Sequence, residues 1–277
     1  MVIWAKMFLR ENLSNQSKII KAYSDVSKEI GLINRFEQSF LERAYRNGNL
    51  SAYFERLNGI DFKELDLVLD FGCGYGQWSM TLASLNNNVI GTDIDPNRIS
   101  FCKKMAEKLE IYNVNFYSSL ISLEEINLTQ KIDAIFSYQA VPCTAYKHTL
   151  KYFYKLLKPG GRLYFSSYDL GWLIYSIDKD HGGGKYYDSK KWAIKCIKNT
   201  VEYLANNIPK KGTIKDGIYM PQKLLVEDLS EIGFSNIIIN GDGTTTNSEG
   251  KGNFPFFISE YYSHPACYEV LCTKEGS

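Results

Sequence analysis

LVLDFGCGYG, at residues 67–76, is the stretch that decides the fold of this chain. Its apolar run ends in the carboxylate of Asp70, and three glycines then alternate with side chains at Gly72, Gly74 and Gly76. The run predicts a buried parallel strand, because such strands are covered on both faces and carry few polar residues. Glycines allow a tight turn and a close approach of the backbone to a ligand. Helical spacing follows, so the order is strand, glycine loop and helix, which is typical of nucleotide-like cofactor sites.

The spacing of the glycines separates two classes of cofactor. In the dinucleotide fingerprint GxGxxG, the last glycine allows close helix packing beside a pyrophosphate site. Here the third glycine, Gly76, comes one residue early, and the polar Gln77 follows it. Taken alone, such a loop is also compatible with an ordinary glycine turn. With Asp70 before it, the loop resembles the first motif of the class I S-adenosylmethionine-dependent methyltransferases that act on small molecules.

A second strand is predicted for residues 88–93, and it ends in the carboxylate of Asp93. In the family that the first motif resembles, a carboxylate at this place binds the ribose of the cofactor, through strong charge-assisted hydrogen bonds. The alternatives are a solvated aspartate or a helix cap, because Asp95 and Pro96 predict the start of a helix. We therefore assign the ribose to Asp93 and the cap to Asp95.

Three more segments follow in the order that the family has. The predicted strands are residues 113–117, 132–137 and 162–167. The stretch LLKPGGRL, at residues 156–163, resembles the family's turn into the fifth strand. After the third strand the family usually has Gly-Asp, whose aspartate binds the adenine amino group, whereas this chain has Ser118, Ser119 and Leu120. This departure leaves adenine recognition to a serine hydroxyl or to backbone groups.

The resemblance implies which residues bind S-adenosylmethionine, whose product is S-adenosylhomocysteine. They are Asp70, Gly72, Cys73, Gly74, Gln77, Trp78, Asp93, Ile94, Ser119, Leu120, Ser137 and Tyr138. Tyr138 and Gln139 stand where the acceptor and the methyl group meet in the family, so we expect both to position the acceptor.

A general base is required only where the acceptor carries a proton at neutral pH. The histidines are His148, His181 and His264. His181 lies in a glycine-rich loop that can close over a site, and histidine titrates near neutrality, so His181 is our predicted catalytic base. The alternative, given equal weight, is that His181 is an exposed loop histidine without a catalytic role. Asp169, after the fifth strand, is expected either to orient a substrate or to cap the following helix.

The resemblance also implies the architecture of the whole chain. We expect an α/β fold with a Rossmann-like, doubly wound sheet of seven strands in the order 3-2-1-4-5-7-6, the last strand antiparallel. Residues 1–58 are predicted to form an N-terminal helical region that contributes to the substrate site. Residues 59–277 form the methyltransferase domain, with a helical cap inserted at residues 168–220. Loops as long as the aromatic segment 241–265 are usually functional or disordered. Its aromatic residues favour an ordered wall, and they are Phe254, Phe256, Phe257, Tyr261 and Tyr262.

Composition limits the classes of partner that we expect this chain to bind. A formal net charge of +1 argues against a broad nucleic-acid surface. The sequence shows neither an apolar run long enough to span a membrane nor a secretory signal, so we expect a cytoplasmic protein without a membrane partner. The six cysteines form no CxxC pair and no metal-ligand spacing, which predicts reduced thiols and no metal site.

The expected function is methyl transfer to a small-molecule acceptor, with oxygen as the favoured acceptor atom. The alternatives are N-methylation of a small amine, an NAD-dependent oxidoreductase, and a non-catalytic methyltransferase-like subunit. The early Gly76 and the turn at residues 159–161 argue against the oxidoreductase.

Overall fold

The computed structural model describes residues 11–30, 45, 50–118, 128–129, 131–179, 188–206 and 211–276. Its helices are α1 (Gln16–Ile30), α2 (Ser51–Gly59), α3 (Gln77–Leu85), α4 (Pro96–Lys108), α5 (Tyr146–Leu156), α6 (Leu170–Lys179), α7 (Ser189–Leu204) and α8 (Gln222–Ile232). Its strands are β1 (Leu67–Phe71), β2 (Asn88–Thr92), β3 (Val114–Tyr117), β4 (Ile132–Tyr138), β5 (Leu157–Tyr168), β6 (Phe234–Gly241), β7 (Glu260–Tyr261), β8 (His264–Pro265) and β9 (Cys267–Lys274).

Seven of the strands form one sheet, in the order β3-β2-β1-β4-β5-β9-β6. Strand β2 is parallel to β1 and β3, whereas β9 is antiparallel to both β5 and β6. Strands β7 and β8 form a separate antiparallel ribbon, so β9 is the seventh strand of the large sheet. The predicted Rossmann-like sheet, with its order 3-2-1-4-5-7-6 and its antiparallel last strand, is confirmed.

The chain divides into two compact units. The first comprises residues 1–128, 132–134 and 246–254, and the second comprises residues 129–131, 135–245 and 255–277. The predicted domain boundary at residue 58 stays a prediction. Within the N-terminal helical region predicted for residues 1–58, residues 1–10, 31–44 and 46–49 lie outside the described residues.

In the first unit, the elements of the cofactor motif are deeply buried. Strand β1 is buried at four of its five positions, as its apolar run predicts. Helix α3 is buried at eight of its nine positions, from Trp78 to Leu85. At Gly91 in β2, an added Cβ would come within 2.6 Å of the Phe116 ring, so a glycine lets β2 and β3 pack there. Tight packing of this kind fixes the loop that joins β1 to α3.

In the second unit, β5 begins at Leu157, directly after α5, so the turn predicted for residues 159–161 lies within the strand rather than before it. Helix α5 ends at Leu156, and Gly160 has a φ of +76°, which only glycine adopts readily. Helices α6 and α7 occupy the predicted insertion, and Gly233, with a φ of +109°, ends α8 as a left-handed cap. Across the described ranges, none of the helices is both long and apolar enough to cross a membrane.

Candidate functional site

The glycine loop of the first unit uses its glycines for two different purposes. Gly74 has a φ of +56°, and an added Cβ would find no atom within 4 Å, so this part of the loop faces open space. Gly76 has a φ of +79° and is the N-cap of α3, where a Cβ would lie 2.9 Å from the Cys102 Sγ. The early third glycine therefore serves helix entry, while Gly74 leaves the backbone open to a ligand.

Asp70 is the buried acid of this loop. It is 1% exposed, and its Oδ2 accepts a hydrogen bond of 2.5 Å from the Ser79 hydroxyl on α3. Its Oδ1 is buried and has no hydrogen-bond partner among the described residues. Burial raises the pKa of Asp70 from 3.8 to about 7; the Ser79 bond opposes this rise and the charge of Asp93 adds to it. A cationic hydrogen-bond donor would satisfy this oxygen and stabilise the carboxylate.

Asp93 connects the glycine loop to the end of β2. Its Oδ2 accepts a hydrogen bond of 3.0 Å from the Gly74 N–H, and its Oδ1 accepts one of 3.0 Å from the Asp95 N–H. The Arg98 Nη1 lies 3.7 Å from Asp93 Oδ2. Asp95 caps α4 through the Asn97 N–H, so the predicted cap is confirmed. Carboxylate oxygens have further lone pairs, so Asp93 can still accept ribose hydroxyls.

At the edges of the glycine loop, two more buried polar atoms have no partner among the described residues. They are Oε1 of Gln77, the first residue of α3, and Oγ1 of Thr92, the last residue of β2. Buried polar atoms are normally hydrogen-bonded, so such atoms at the edges of the glycine loop fit a polar ligand. Thr92 was not predicted from the sequence, although it directly precedes Asp93 in the motif.

The other predicted cofactor residues of the first unit differ in exposure. The Cys73 N–H donates to the Thr92 carbonyl at 2.8 Å, which ties the loop to β2, and burial raises the pKa of the Cys73 thiol. The Trp78 ring is buried and packs edge-on against Tyr53, with centroids 4.6 Å apart. Ile94 is 70% exposed, so an apolar side chain lies beside Asp93 and is accessible to a flat ligand. The cofactor roles of all three stay predictions.

In the second unit, the end of β4 carries the predicted acceptor residues Tyr138 and Gln139 and, directly before them, the predicted cofactor residue Ser137. Ser137 is fully buried, and its Oγ has no hydrogen-bond partner in the described part of the chain. The Tyr138 ring packs edge-on against Phe256 at 5.7 Å. Gln139 has a φ of +58°, its N–H donates to the Ser166 hydroxyl at 3.2 Å, and its Nε2 is buried without a described partner. A left-handed residue other than glycine stores strain, which often occurs at functional positions.

Asp242 holds the backbone of the aromatic segment 241–265 at Phe256 and Phe257. It is 3% exposed, and its Oδ2 accepts hydrogen bonds of 2.6 Å and 3.0 Å from the Phe256 and Phe257 N–H groups. The Phe257 ring then packs on Trp172 of α6, with centroids 5.3 Å apart. Tyr261 stacks on Tyr175 at 3.9 Å. The part of the predicted aromatic wall that lies in this unit, residues 241–245 and 255–265, thus forms an ordered cluster. Asp242 itself was not predicted, although Gly241 and Gly243 around it mark a turn.

The structure describes two of the three histidines, but neither of the two residues Ser119 and Leu120 that were predicted to bind the cofactor. His148 on α5 and His264 in β8 are exposed. His181, Ser119 and Leu120 lie outside the described residues. Among the residues that the structure describes, no group of three or more His, Cys, Asp or Glu side chains is placed to hold a metal ion.

Asp169 has the arrangement of a helix cap. It is 3% exposed, and its Oδ1 accepts a hydrogen bond of 2.7 Å from the Leu170 N–H at the start of α6. Its Oδ2 accepts a bond of 2.5 Å from Gln222 Nε2. The bond to Leu170 satisfies an N–H group at the start of α6, as the cap alternative requires, and the orientation of a substrate by Asp169 stays a prediction.

Comparisons with known proteins agree with the fold and with the first motif. A family model described as a methyltransferase domain matches residues 63–219, more than half of the chain. Phosphoethanolamine N-methyltransferase 3 of Arabidopsis thaliana is 32% identical over 143 residues, which cover 51% of this chain and 29% of that protein. The mitochondrial ubiquinone biosynthesis O-methyltransferase of Dictyostelium discoideum is 30% identical over 118 residues, 39% of this chain and 37% of that protein.

A solved structure shows the same fold at low identity. Phosphoethanolamine N-methyltransferase 2 of Haemonchus contortus, in complex with phosphomonomethylethanolamine and S-adenosylhomocysteine, superposes with a TM-score of 0.55 at 14% identity. The match covers 92% of this chain and 61% of that one. The chain spans about a third of the length of the curated relatives that it matches first. Because the family model covers most of the sheet and the glycine loop, this chain belongs to the S-adenosylmethionine-dependent methyltransferase family.

Proposed function

We propose that this protein transfers the methyl group of S-adenosylmethionine to a small-molecule acceptor, with oxygen as the favoured acceptor atom. The observation that carries the proposal is the buried Oδ1 of Asp70, which has no described partner and lies at the start of the open glycine loop. The amino group of S-adenosylmethionine is the kind of cation that this oxygen accepts. A pyrophosphate would instead bring negative charge toward a buried carboxylate, which argues against a dinucleotide.

Each part of the cofactor has a candidate partner in the first unit. Asp70 would bind the amino group and Asp93 the two ribose hydroxyls, while Gly74 leaves room for the backbone to approach the ligand. Ile94 would cover one face of the adenine, since its side chain is 70% exposed. Ser119 and Leu120 are proposed for the adenine edge on the family resemblance alone.

When it is bound, S-adenosylmethionine supplies a methyl group that its sulfonium has already activated. The protein therefore has to orient the acceptor and exclude water. We assign this orientation to Tyr138 and Gln139, because the buried Gln139 Nε2 is a donor without a described partner that fits an acceptor oxygen. His181 is proposed as the base that removes the proton of a hydroxyl acceptor.

N-methylation of a small amine is the second candidate. Two kinds of observation favour it: the Arabidopsis thaliana relative and the Haemonchus contortus structure are both phosphoethanolamine N-methyltransferases. A neutral amine already has a lone pair, so this reaction makes a smaller demand on a general base than O-methylation does. Nucleic acid is a less favoured substrate class than either kind of small molecule, because a formal net charge of +1 does not indicate a broad phosphate-binding surface.

The first experiment is a calorimetric titration of the protein with S-adenosylhomocysteine and, separately, with NAD. Binding of S-adenosylhomocysteine and no binding of NAD is the expected result, and the reverse would overturn the proposal.

The second experiment measures transfer of tritiated methyl from S-adenosylmethionine to phenolic acids, phosphoethanolamine and total RNA. Transfer to phenolic hydroxyls supports the favoured acceptor, and transfer to phosphoethanolamine supports the second candidate. Cofactor binding without transfer to any metabolite fraction identifies a non-catalytic subunit.

A further inference from the structure

Helix α7 of the second unit carries an apolar stripe on its exposed surface. Ile194 is 51% exposed, Ile197 39%, Val201 63% and Leu204 44%. The four positions are spaced by three, four and three residues, so they lie along one face of the helix. They are four of the thirteen large apolar side chains that are exposed among the described residues. This concentration on one helix requires an explanation, because exposed apolar residues are normally scattered singly.

The stripe is separate from the face by which α7 packs into its own unit. That packed face consists of Ala193, Cys196, Thr200 and Tyr203, none more than 8% exposed. Each stripe residue follows one of these by one position, which turns it by about 100° around the helix axis. The stripe is thus a second apolar face. On α8, by contrast, the exposed Leu224 and Val226 are two residues apart and point to different faces.

The charge of α7 indicates what covers this stripe. The helix has four lysines, Lys190, Lys191, Lys195 and Lys198, and a single acidic residue, Glu202. Lys195 pairs with Asp216 at 3.2 Å, and Lys198 pairs with Glu202 at 3.7 Å. Both ion pairs are partly exposed and leave the helix with a net positive charge. An apolar stripe beside lysines is the pattern of helices that lie on anionic membrane surfaces.

A second copy of this chain fits the stripe less well. Two copies of α7 packed in parallel would bring their lysines together, because all four lie in the first ten residues of the helix, and this disfavours the parallel pair. Four partly exposed side chains also offer much less than the roughly 800 Å² that each partner buries in a standard interface. Charge and area therefore both favour a lipid surface over self-association.

We propose that α7 lies on an anionic phospholipid surface, with Ile194, Ile197, Val201 and Leu204 in the acyl boundary and the lysines at the headgroups. Such binding needs no spanning helix, and it departs from the expectation of no membrane partner, which the sequence analysis drew from the absence of long apolar runs and secretory signals. One short helix gives reversible binding that weakens with salt, because part of the attraction is electrostatic. The proposal does not depend on which acceptor is methylated.

The experiment is flotation of the full-length chain with phosphatidylcholine vesicles, with and without phosphatidylglycerol, at low and high ionic strength. We expect flotation with the phosphatidylglycerol vesicles at low ionic strength, and its loss with pure phosphatidylcholine or high salt. Val201→Glu should lower partitioning by about tenfold, because it places a charge in the apolar face. Val226→Glu, the same change at an exposed valine of α8, should bind like the wild type. Lys198→Glu should weaken binding, and Lys155→Glu on α5 should do so less.

Three results would overturn the proposal. The first is no flotation of the wild type with phosphatidylglycerol vesicles at low ionic strength. The second is equal partitioning of the Val201→Glu and Val226→Glu variants, with matching thermal unfolding curves to show that both are folded. The third is a dimer by light scattering that Val201→Glu dissociates, since this would assign the stripe to a second copy. If Val201→Glu unfolds, the comparison of Lys198→Glu with Lys155→Glu decides in its place.

Discussion

The glycine loop of the first unit and the part of the aromatic segment 241–265 that lies in the second unit hold their side chains through contacts of different range. In the loop, Asp70 bonds to Ser79, nine residues along the chain, and both residues belong to one short motif. In the late segment, Asp242 reaches forward fourteen residues to Phe256, and Phe257 packs on Trp172 of an earlier helix. Local contacts leave a pattern in the sequence, whereas contacts between distant segments leave almost none. The proposed methyl donor can therefore be predicted from the sequence of this chain, and the acceptor cannot.

The largest expected effect concerns the proposed acceptor chemistry. His181→Ala should lower kcat by about 100-fold if the acceptor is a hydroxyl, because general-base catalysis typically contributes at least that factor. The dissociation constant of S-adenosylhomocysteine should not change, since no cofactor role is assigned to His181. Steady-state kinetics with the acceptor found by tritium transfer, together with calorimetry, separate the two quantities. His148→Ala is the matched control, because His148 is an exposed histidine of α5. Unchanged turnover in His181→Ala would remove it as the base.

The next effect concerns the ribose contact in the first unit. Asp93→Ala should weaken binding of S-adenosylhomocysteine by roughly 1.5–3 kcal/mol, since charged hydrogen bonds to both ribose hydroxyls are lost. Calorimetry measures this directly. Asp95→Ala is the control, because it removes the α4 cap and costs about 1 kcal/mol of stability while leaving the ribose contact intact. An unchanged dissociation constant in Asp93→Ala would refute the ribose role.

The sequence predicted much of the fold and the identity of the cofactor for a physical reason, while the residues that bind the cofactor stay predictions. The strand order and the cap at Asp95 depend on periodicity and on backbone preferences, which neighbouring residues determine. Thr92 and Gln139 carry buried polar atoms that have no hydrogen-bond partner among the described residues. The sequence could not predict this, because tertiary packing decides which side-chain atoms are buried and which are hydrogen-bonded. Asp242 was missed for the same reason, since its bonds join residues that only the folded chain brings together.

Asp70 gives a prediction in which pH moves stability and binding in opposite directions. Its pKa is raised from 3.8 to about 7 in the folded chain. The folded state therefore keeps a proton that the unfolded state loses, and this contribution to stability is full below 3.8 and is lost as pH rises to about 7. Thermal melts of the ligand-free wild type should show this loss, and Asp70→Asn should not.

Cofactor binding should respond to the same titration with the opposite sign. The amino group requires the ionised Asp70, so affinity for S-adenosylhomocysteine should rise about tenfold from one pH unit below the pKa to one unit above it. Calorimetry of the wild type is compared with Asp70→Asn at the same two pH values, which cancels any titration of the ligand itself. An identical pH dependence in both proteins would exclude Asp70 from the amino-group contact.

The smallest effect tests whether the late aromatic segment contributes to the acceptor side. In Asp242→Asn the side-chain oxygen can still accept from the Phe256 and Phe257 N–H groups, but the charge that strengthens both bonds is lost. The cost should be about 1 kcal/mol, the usual difference between charged and neutral hydrogen bonds. We expect KM for the acceptor to rise several-fold, because Phe256 packs on Tyr138 and Phe257 packs on Trp172. Asp188→Asn, which changes the cap of α7, is the matched control.

Two readouts decide the meaning of the Asp242 variant. If Asp242 positions the acceptor, KM for the acceptor rises while kcat and the dissociation constant of S-adenosylhomocysteine stay near the wild-type values. If Asp242 only supports the fold, the variant should melt at a lower temperature while the kinetic constants measured well below that temperature stay unchanged. The second result would restrict the aromatic cluster to a structural role and would move the search for acceptor contacts to Ser137 and Gln139, whose buried polar atoms have no described partner.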